Sequence, residues 1–263
     1  MIHFRFHLTF FLIAAFAPLL FASQPLETET ARLLPAGVVK LEGTLEAQTS
    51  KEGRERAFPL VIEYGLTDRT ELTVEPVFGT AIRPKAGPSA AGPGDLEITL
   101  THLLLPESSG APALAVAGEL KLPTARNRLI GTGKTDYTLW GIASKRIARI
   151  DLHGNIGYTV VGRPPGTRLS NTINYALAEE FHATPTFDVV SEVVGNTSAT
   201  GDRSETSSTG NTTTPELAGA ENSFLLGVRY HARPNLFLSI GLSYDNNHAL
   251  LVRPGVTYRF GTR

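Results

Sequence analysis

His153 and Asn155, either side of Gly154, put an imidazole and an amide on one side of an extended strand. Those groups could serve acyl chemistry as a base and a hydrogen-bonding partner. No serine adjoins them in sequence, and the chain has no cysteine. That excludes a thiol nucleophile, thiolate zinc sites, iron–sulfur clusters, a disulfide scaffold and a lipid-anchored cysteine. Gly131-Thr132-Gly133-Lys134-Thr135 has the tail of a phosphate-binding loop, but Arg128 stands where the first glycine belongs and no helical pattern follows. Asn196-Thr197-Ser198 and Asn211-Thr212-Thr213 fit the glycosylation sequon but read as polar loop. Asp245-Asn246-Asn247 has the oxygens for weak calcium binding and reads better as a hairpin tip. No catalytic centre, metal site or cofactor is expected.

The remaining chemistry is a long series of charges at alternate positions. Its acids are Glu42, Glu46, Glu63, Glu71, Glu75, Glu97, Glu119, Asp151, Glu180, Asp188 and Glu192. Its cations are Lys40, Lys121, Arg229, Arg253 and Arg259, and His153 and Asn155 fall on the same side. Alternation by two places successive side chains on opposite faces of a strand. The apolar partners are as regular: Phe58, Leu60, Ile62, Tyr64 and Leu66 share one face, as do Leu152, Ile156, Tyr158 and Val160. Leu236, Leu238, Ile240, Leu242 and Tyr244 repeat the pattern, and twelve such segments run from Val39 to Phe260. The sixth, 136–145, has no clear phase, and Val190 and Val194 blur the ninth.

The connections alternate in length. Thr67-Asp68-Arg69, Ala183-Thr184-Pro185 and Ala232-Arg233-Pro234-Asn235 are tight, whereas 79–93, 123–135, 161–171 and 195–222 are long. A secreted soluble β-protein would explain the alternation, but not this parity or an apolar face on nearly every strand. An all-β fold is expected: a transmembrane antiparallel up-and-down β-barrel of about 12 strands in the outer membrane. An even strand number puts both termini on the periplasmic side and the long connections outside. Aromatic residues such as Phe78, Tyr137 and Phe187 cluster toward strand ends, where interfacial girdles sit.

Arg5 followed by an apolar run from Leu8 to Phe21 and then Ala22-Ser23 has the layout of a cleaved signal peptide. The run is shorter than the roughly 20 residues a spanning helix needs. The organisation expected is therefore 1–23 signal peptide, 24–36 periplasmic lead and 37–263 barrel. With 24 basic against 25 acidic residues, a nucleic-acid partner is not expected. Mean hydropathy is −0.02, because each lipid-facing residue is averaged with a polar neighbour.

In a barrel whose apolar face meets lipid, the charged series lines the lumen. Closure sets the last strand beside the first, so Arg253 and Arg259 should neighbour Glu42 and Glu46. Two readings stay open. Acids on the early strands and arginines on the late ones could set up a transverse field in a wet pore. Equally, the charges could pair and fill a narrow interior.

Short motifs in a fixed order resemble a known family. They are Tyr64-Gly65-Leu66-Thr67-Asp68-Arg69, Gly94-Asp95-Leu96, Leu122-Pro123-Thr124, Gly131-Thr132-Gly133 with Asp136, Ser144-Lys145, His153-Gly154-Asn155-Ile156-Gly157-Tyr158 and Glu192. Over roughly 60–260 the chain is similar to outer-membrane proteins named for the meta-pathway of phenol degradation, departing at Ala125, where those proteins usually have glycine. The resemblance implies a channel or transporter for small molecules, with hydrophobic or aromatic compounds as candidates. The rivals are a closed structural or surface-interaction barrel using 195–222, and a lipid-active enzyme. Expected partners are outer-membrane lipid, a small solute of unknown identity and, during biogenesis, the barrel-assembly machinery.

Overall fold

The computed structural model describes residues 24–199 and 220–261; the signal peptide expected over 1–23 and most of the 195–222 loop lie outside the described residues. The first span is made of two pieces, β1 (Val39–Thr44) and β2 (Glu46–Thr49), interrupted at Leu45. There follow β3 (Gly53–Thr67), β4 (Thr70–Pro84), a short β5 (Ala90–Gly92), β6 (Leu96–Leu105) and β7 (Ala113–Leu122). The second half comprises β8 (Asp136–Ile147), β9 (Ile150–Val160), β10 (Thr172–Thr184), β11 (Phe187–Asn196), β12 (Glu221–Arg233), β13 (Leu236–Asp245) and β14 (Leu250–Phe260). Each span pairs antiparallel with the next, and β14 returns to β1 and β2 with Lys40 opposite Arg259, Glu42 opposite Thr257 and Ala47 opposite Val252. Counting β1 and β2 as one span and β5 as an accessory, this is a closed barrel of twelve strands among the described residues. Closure leaves no backbone edge to be satisfied by lipid.

The two faces separate as the alternation requires. Leu139, Ile156 and Leu177 are more than 60 % exposed on the outside, where a bilayer would cover them, while Thr138, Asp151, His153, Glu180 and Asp188 are buried inside. The unclear phase of the sixth strand resolves: Tyr137 and Leu139 face out, and Trp140 turns in to donate its indole N–H to Glu119 at 2.8 Å. The 79–93 stretch is only partly loop. β4 continues to Pro84, and β5 folds back on it, pairing Ile82 with Ala90 and Thr80 with Gly92.

Lipid-face burial predicts a depth-dependent penalty. Ile156, near the middle of β9, should tolerate leucine, whereas Ile156→Arg should destabilise the barrel by about 2–4 kcal/mol, as for a cation near the bilayer midplane. Urea unfolding in phospholipid vesicles measures the difference.

Candidate functional site: a filled lumen

The inward charges pair with one another and with the chain's own beginning. Toward the periplasmic end, Arg229 on β12 meets Glu180 of β10 at 2.6 Å and Asp188 of β11 at 3.6 Å. Asp188 also takes His182 at 2.9 Å and His231 at 2.6 Å, and His182 reaches on to Asp151 at 2.9 Å. Asp151 is further held by Arg146 and by Arg32 at 3.0 Å. Across the seam, Arg253 contacts Glu46 at 2.9 Å, as closure requires. Glu42 instead takes Lys40 at 3.3 Å and the Thr257 hydroxyl at 3.2 Å. Arg259, opposite Lys40 in register, donates to the Pro234 carbonyl rather than reaching Glu42. Lys40 also takes Glu63 at 2.7 Å. A buried charge is tolerated only when it is matched this closely.

Residues 24–36, read from sequence as a periplasmic lead, are bonded to the inner wall. The Gln24 carbonyl accepts from Arg229 and the Pro25 carbonyl from Arg253, both at 3.2 Å, and the Glu27 carboxylate is paired with Arg253. Glu192 accepts the backbone N–H groups of Glu27 at 2.9 Å and Thr28 at 2.5 Å, together with the Thr28 hydroxyl. Asn155 brackets Glu29, receiving its N–H at 2.7 Å and donating to its carbonyl at 2.9 Å. Ala31 N–H donates to Ser144 Oγ at 2.9 Å, Arg32 to Glu107 at 2.8 Å, and Leu34 N–H to Glu71 at 2.7 Å. The segment leaves the lumen where Ala36 N–H meets Asp68 in the β3–β4 turn. It has no regular structure of its own, so lumen side chains supply the backbone partners a strand would have supplied.

Shape matches polarity. Leu26 packs on Ala178, Val190 and Leu225, while Ala31 packs on Ala113, Ala115, Ala117 and Ile142. A Cβ placed at Gly227 or Gly241 would lie 2.7 or 2.8 Å from the Pro25 ring, so these inward glycines are the space that ring occupies.

Nearer the external ends of the strands the lumen is less compensated. Glu75 and Glu97 are directly opposite each other on β4 and β6, and neither takes part in an ion pair among the described residues. Lys121, beside them in register, is paired with Asp136, and Glu119 is held by Trp140. The result is a cluster of acids above the seated lead.

Sequence and structure comparisons agree with this architecture. The family described as "Putative MetA-pathway of phenol degradation" matches residues 33–260. The chain belongs to this family. Among curated proteins no match is found. Of solved structures, the COG4313 outer membrane channel from Pseudomonas putida F1 is 14% identical with a TM-score of 0.61, over 88% of this chain and 98% of that one. The NanC porin is 11% identical with a TM-score of 0.58, over 83% and 98%. The KdgM porin in complex with disordered oligogalacturonate is 9% identical with a TM-score of 0.55, over 84% and 99%. At these identities the likeness is one of fold, the outer-membrane barrel.

In this member of the phenol-degradation family, the His153–Asn155 pair has a role that sequence adjacency does not reveal. A serine does lie within reach: Ser144, opposite His153 in the β8–β9 register, has its Oγ 2.8 Å from Nδ1. Nε2 faces Glu180 at 3.6 Å. These are the residue types of a nucleophile, base and acid, but their surroundings are those of a clasp. Ser144 Oγ accepts the Ala31 N–H and touches the Thr30 hydroxyl at 3.2 Å. Glu180 is taken by Arg229, and both Ser144 and His153 are buried under the lead. With the lead seated, nothing can approach the hydroxyl.

Two predictions follow from the seat itself. Gly241→Val would drive a methyl group into the Pro25 ring and should unseat the lead, exposing residues 24–36 to added protease. Gly118→Val, at an open position, should not, and heat-modifiability on gels should show both barrels folded.

The second concerns pH. Burial and then Glu71, with Glu42 and Glu119, push the Glu29 carboxyl up to about 7 against the opposing pull of Lys40. A carboxyl raised in the seated state stabilises seating fully below its ordinary value near 4.5, and that contribution is lost as pH rises through 7. Protease access to the lead should therefore increase from pH 5 to pH 8, and Glu29→Gln should flatten the change.

Proposed function

We propose that this protein is an outer-membrane channel for small molecules, moving by passive or facilitated passage, with hydrophobic or aromatic compounds as the solute class to test first. The observation that carries this reading is the nature of the lumen's filling. The walls do not meet across the interior. Between them runs a segment without secondary structure of its own, joined to β1 and held by hydrogen bonds and ion pairs that water can replace. A barrel with a polar inner wall and a displaceable occupant is built to let something by.

Two similarities support the same direction. The P. putida barrel is itself described as an outer membrane channel, and the family's description points to phenol degradation. A closed structural barrel is the competing reading, since the same lead could be a permanent seal.

Planar-bilayer recording separates them. The purified chain should show small, discrete conductance steps, and deletion of residues 24–34 should enlarge them several-fold. Liposome swelling with a panel of sugars, amino acids and aromatic acids should then rank the solutes. If neither chain gives steps and neither passes any solute, the channel reading is wrong.

A further inference from the structure

The outer surface of β2–β5 carries a feature that passage through the lumen does not use. Arg54 lies opposite Arg83 in the β3–β4 register, with Arg56 two residues further along β3. All three are exposed. They share the outward parity of Phe58, whereas Glu55 and Ala57 alternate inward between them. Among the described residues no ion pair or side-chain hydrogen bond engages any of the three. The lumen cations Lys40, Arg146, Arg229 and Arg253, by contrast, each lie beside a carboxylate. Here three guanidinium groups stand together without one.

Immediately toward the membrane the same surface is hollow. A groove of about 370 Å³ is lined by Arg56 together with Leu45, Phe58, Phe78 and Pro93. Phe58 and Phe78 are 46% and 60% exposed. The depression exists because Gly79, opposite Phe58, has no side chain, and a Cβ built there would meet nothing within 4 Å. A register shift at Phe58/Pro59 and the break at Leu45 widen the wall locally.

These strand ends lie opposite the tight β3–β4 turn, on the side of the long connection that carries β5, so the groove lies in the external leaflet. A bare apolar groove there would be filled by any acyl chain, but three unpaired arginines above it select for an anionic head. Guanidinium forks match phosphate oxygens in geometry and charge, and aromatic rings at headgroup level hold the saccharide–acyl boundary. We propose that this surface is a docking site for a phosphorylated glycolipid of the outer leaflet, with one acyl chain in the groove and a sugar phosphate on Arg54, Arg56 and Arg83. The inference is independent of the channel reading, because every residue it uses is on the outside of the barrel.

Native mass spectrometry of the purified full chain, titrated with hexa-acylated diphosphoryl lipid A, tests it. A saturable one-to-one adduct is expected, with phosphatidylethanolamine binding about tenfold more weakly or worse. The Arg54→Ala/Arg56→Ala/Arg83→Ala variant should lose about tenfold in affinity for lipid A. Gly79→Leu, which fills the groove and leaves the arginines in place, should weaken it too. Heat-modifiability on gels shows that the variants fold. The proposal is overturned if the triple variant binds lipid A as the parent does, if removing both phosphates from the lipid changes nothing, or if equimolar inorganic phosphate displaces the lipid, which would mark a free-anion site.

Discussion

Backbone N–H and C=O groups inside a hydrocarbon layer have no water to turn to, so a sheet that crosses it must pair every strand on both sides. Here that requirement is met by the return of β14 onto β1 and β2, and the rest of the molecule follows from it. Once the ring is closed, strand alternation leaves one face for lipid and one for the interior. Inside the ring most of the acids and arginines are buried. Most find partners on neighbouring strands and on residues 24–36.

The lead is consequently as much a part of the electrostatics as of the topology. Glu192 and Glu71 take backbone N–H groups from it rather than cations, so carboxylates that would lack a partner in an empty barrel are satisfied in a filled one. Arg253 is shared between the wall acid Glu46 and the lead acid Glu27. The seat is polar where the backbone passes and apolar where Leu26 and Ala31 dock. Such a mixed surface fixes the segment's register more firmly than either kind of contact alone.

Most of the wall was legible in sequence, because period-two alternation is dictated by local geometry and repeated twelve times. The Arg253–Glu46 pair could be anticipated from closure alone. What escaped was whatever depends on a partner distant in the chain. Ser144 is nine residues from His153 and becomes its neighbour only through strand pairing. The lead has no periodicity to read, so nothing in it announced an interior position. Yet the wall carried a signal at one of the positions that blurred the alternation. Val190 is an apolar side chain on an inward face, and it forms the seat of Leu26. Ala113, Ala115 and Ala117 are a run of small apolar side chains on an inward face, and they receive Ala31. The 79–93 stretch was misread for a different reason, since its glycines and prolines hide a strand end that pairs with β3 on one side and β5 on the other.

The contact between the Pro25 carbonyl and Arg253 joins positions 228 residues apart. Through it the lead is gripped by the last strand, which also forms the seam. Wall closure and lumen filling thus share a single side chain as their meeting point. With the lead unseated, Arg253 loses its grip on the Pro25 carbonyl and Glu27 while Glu46 stays beside it. A disturbance of the thread is therefore felt at the seam, because the residue that grips the one also ties the other.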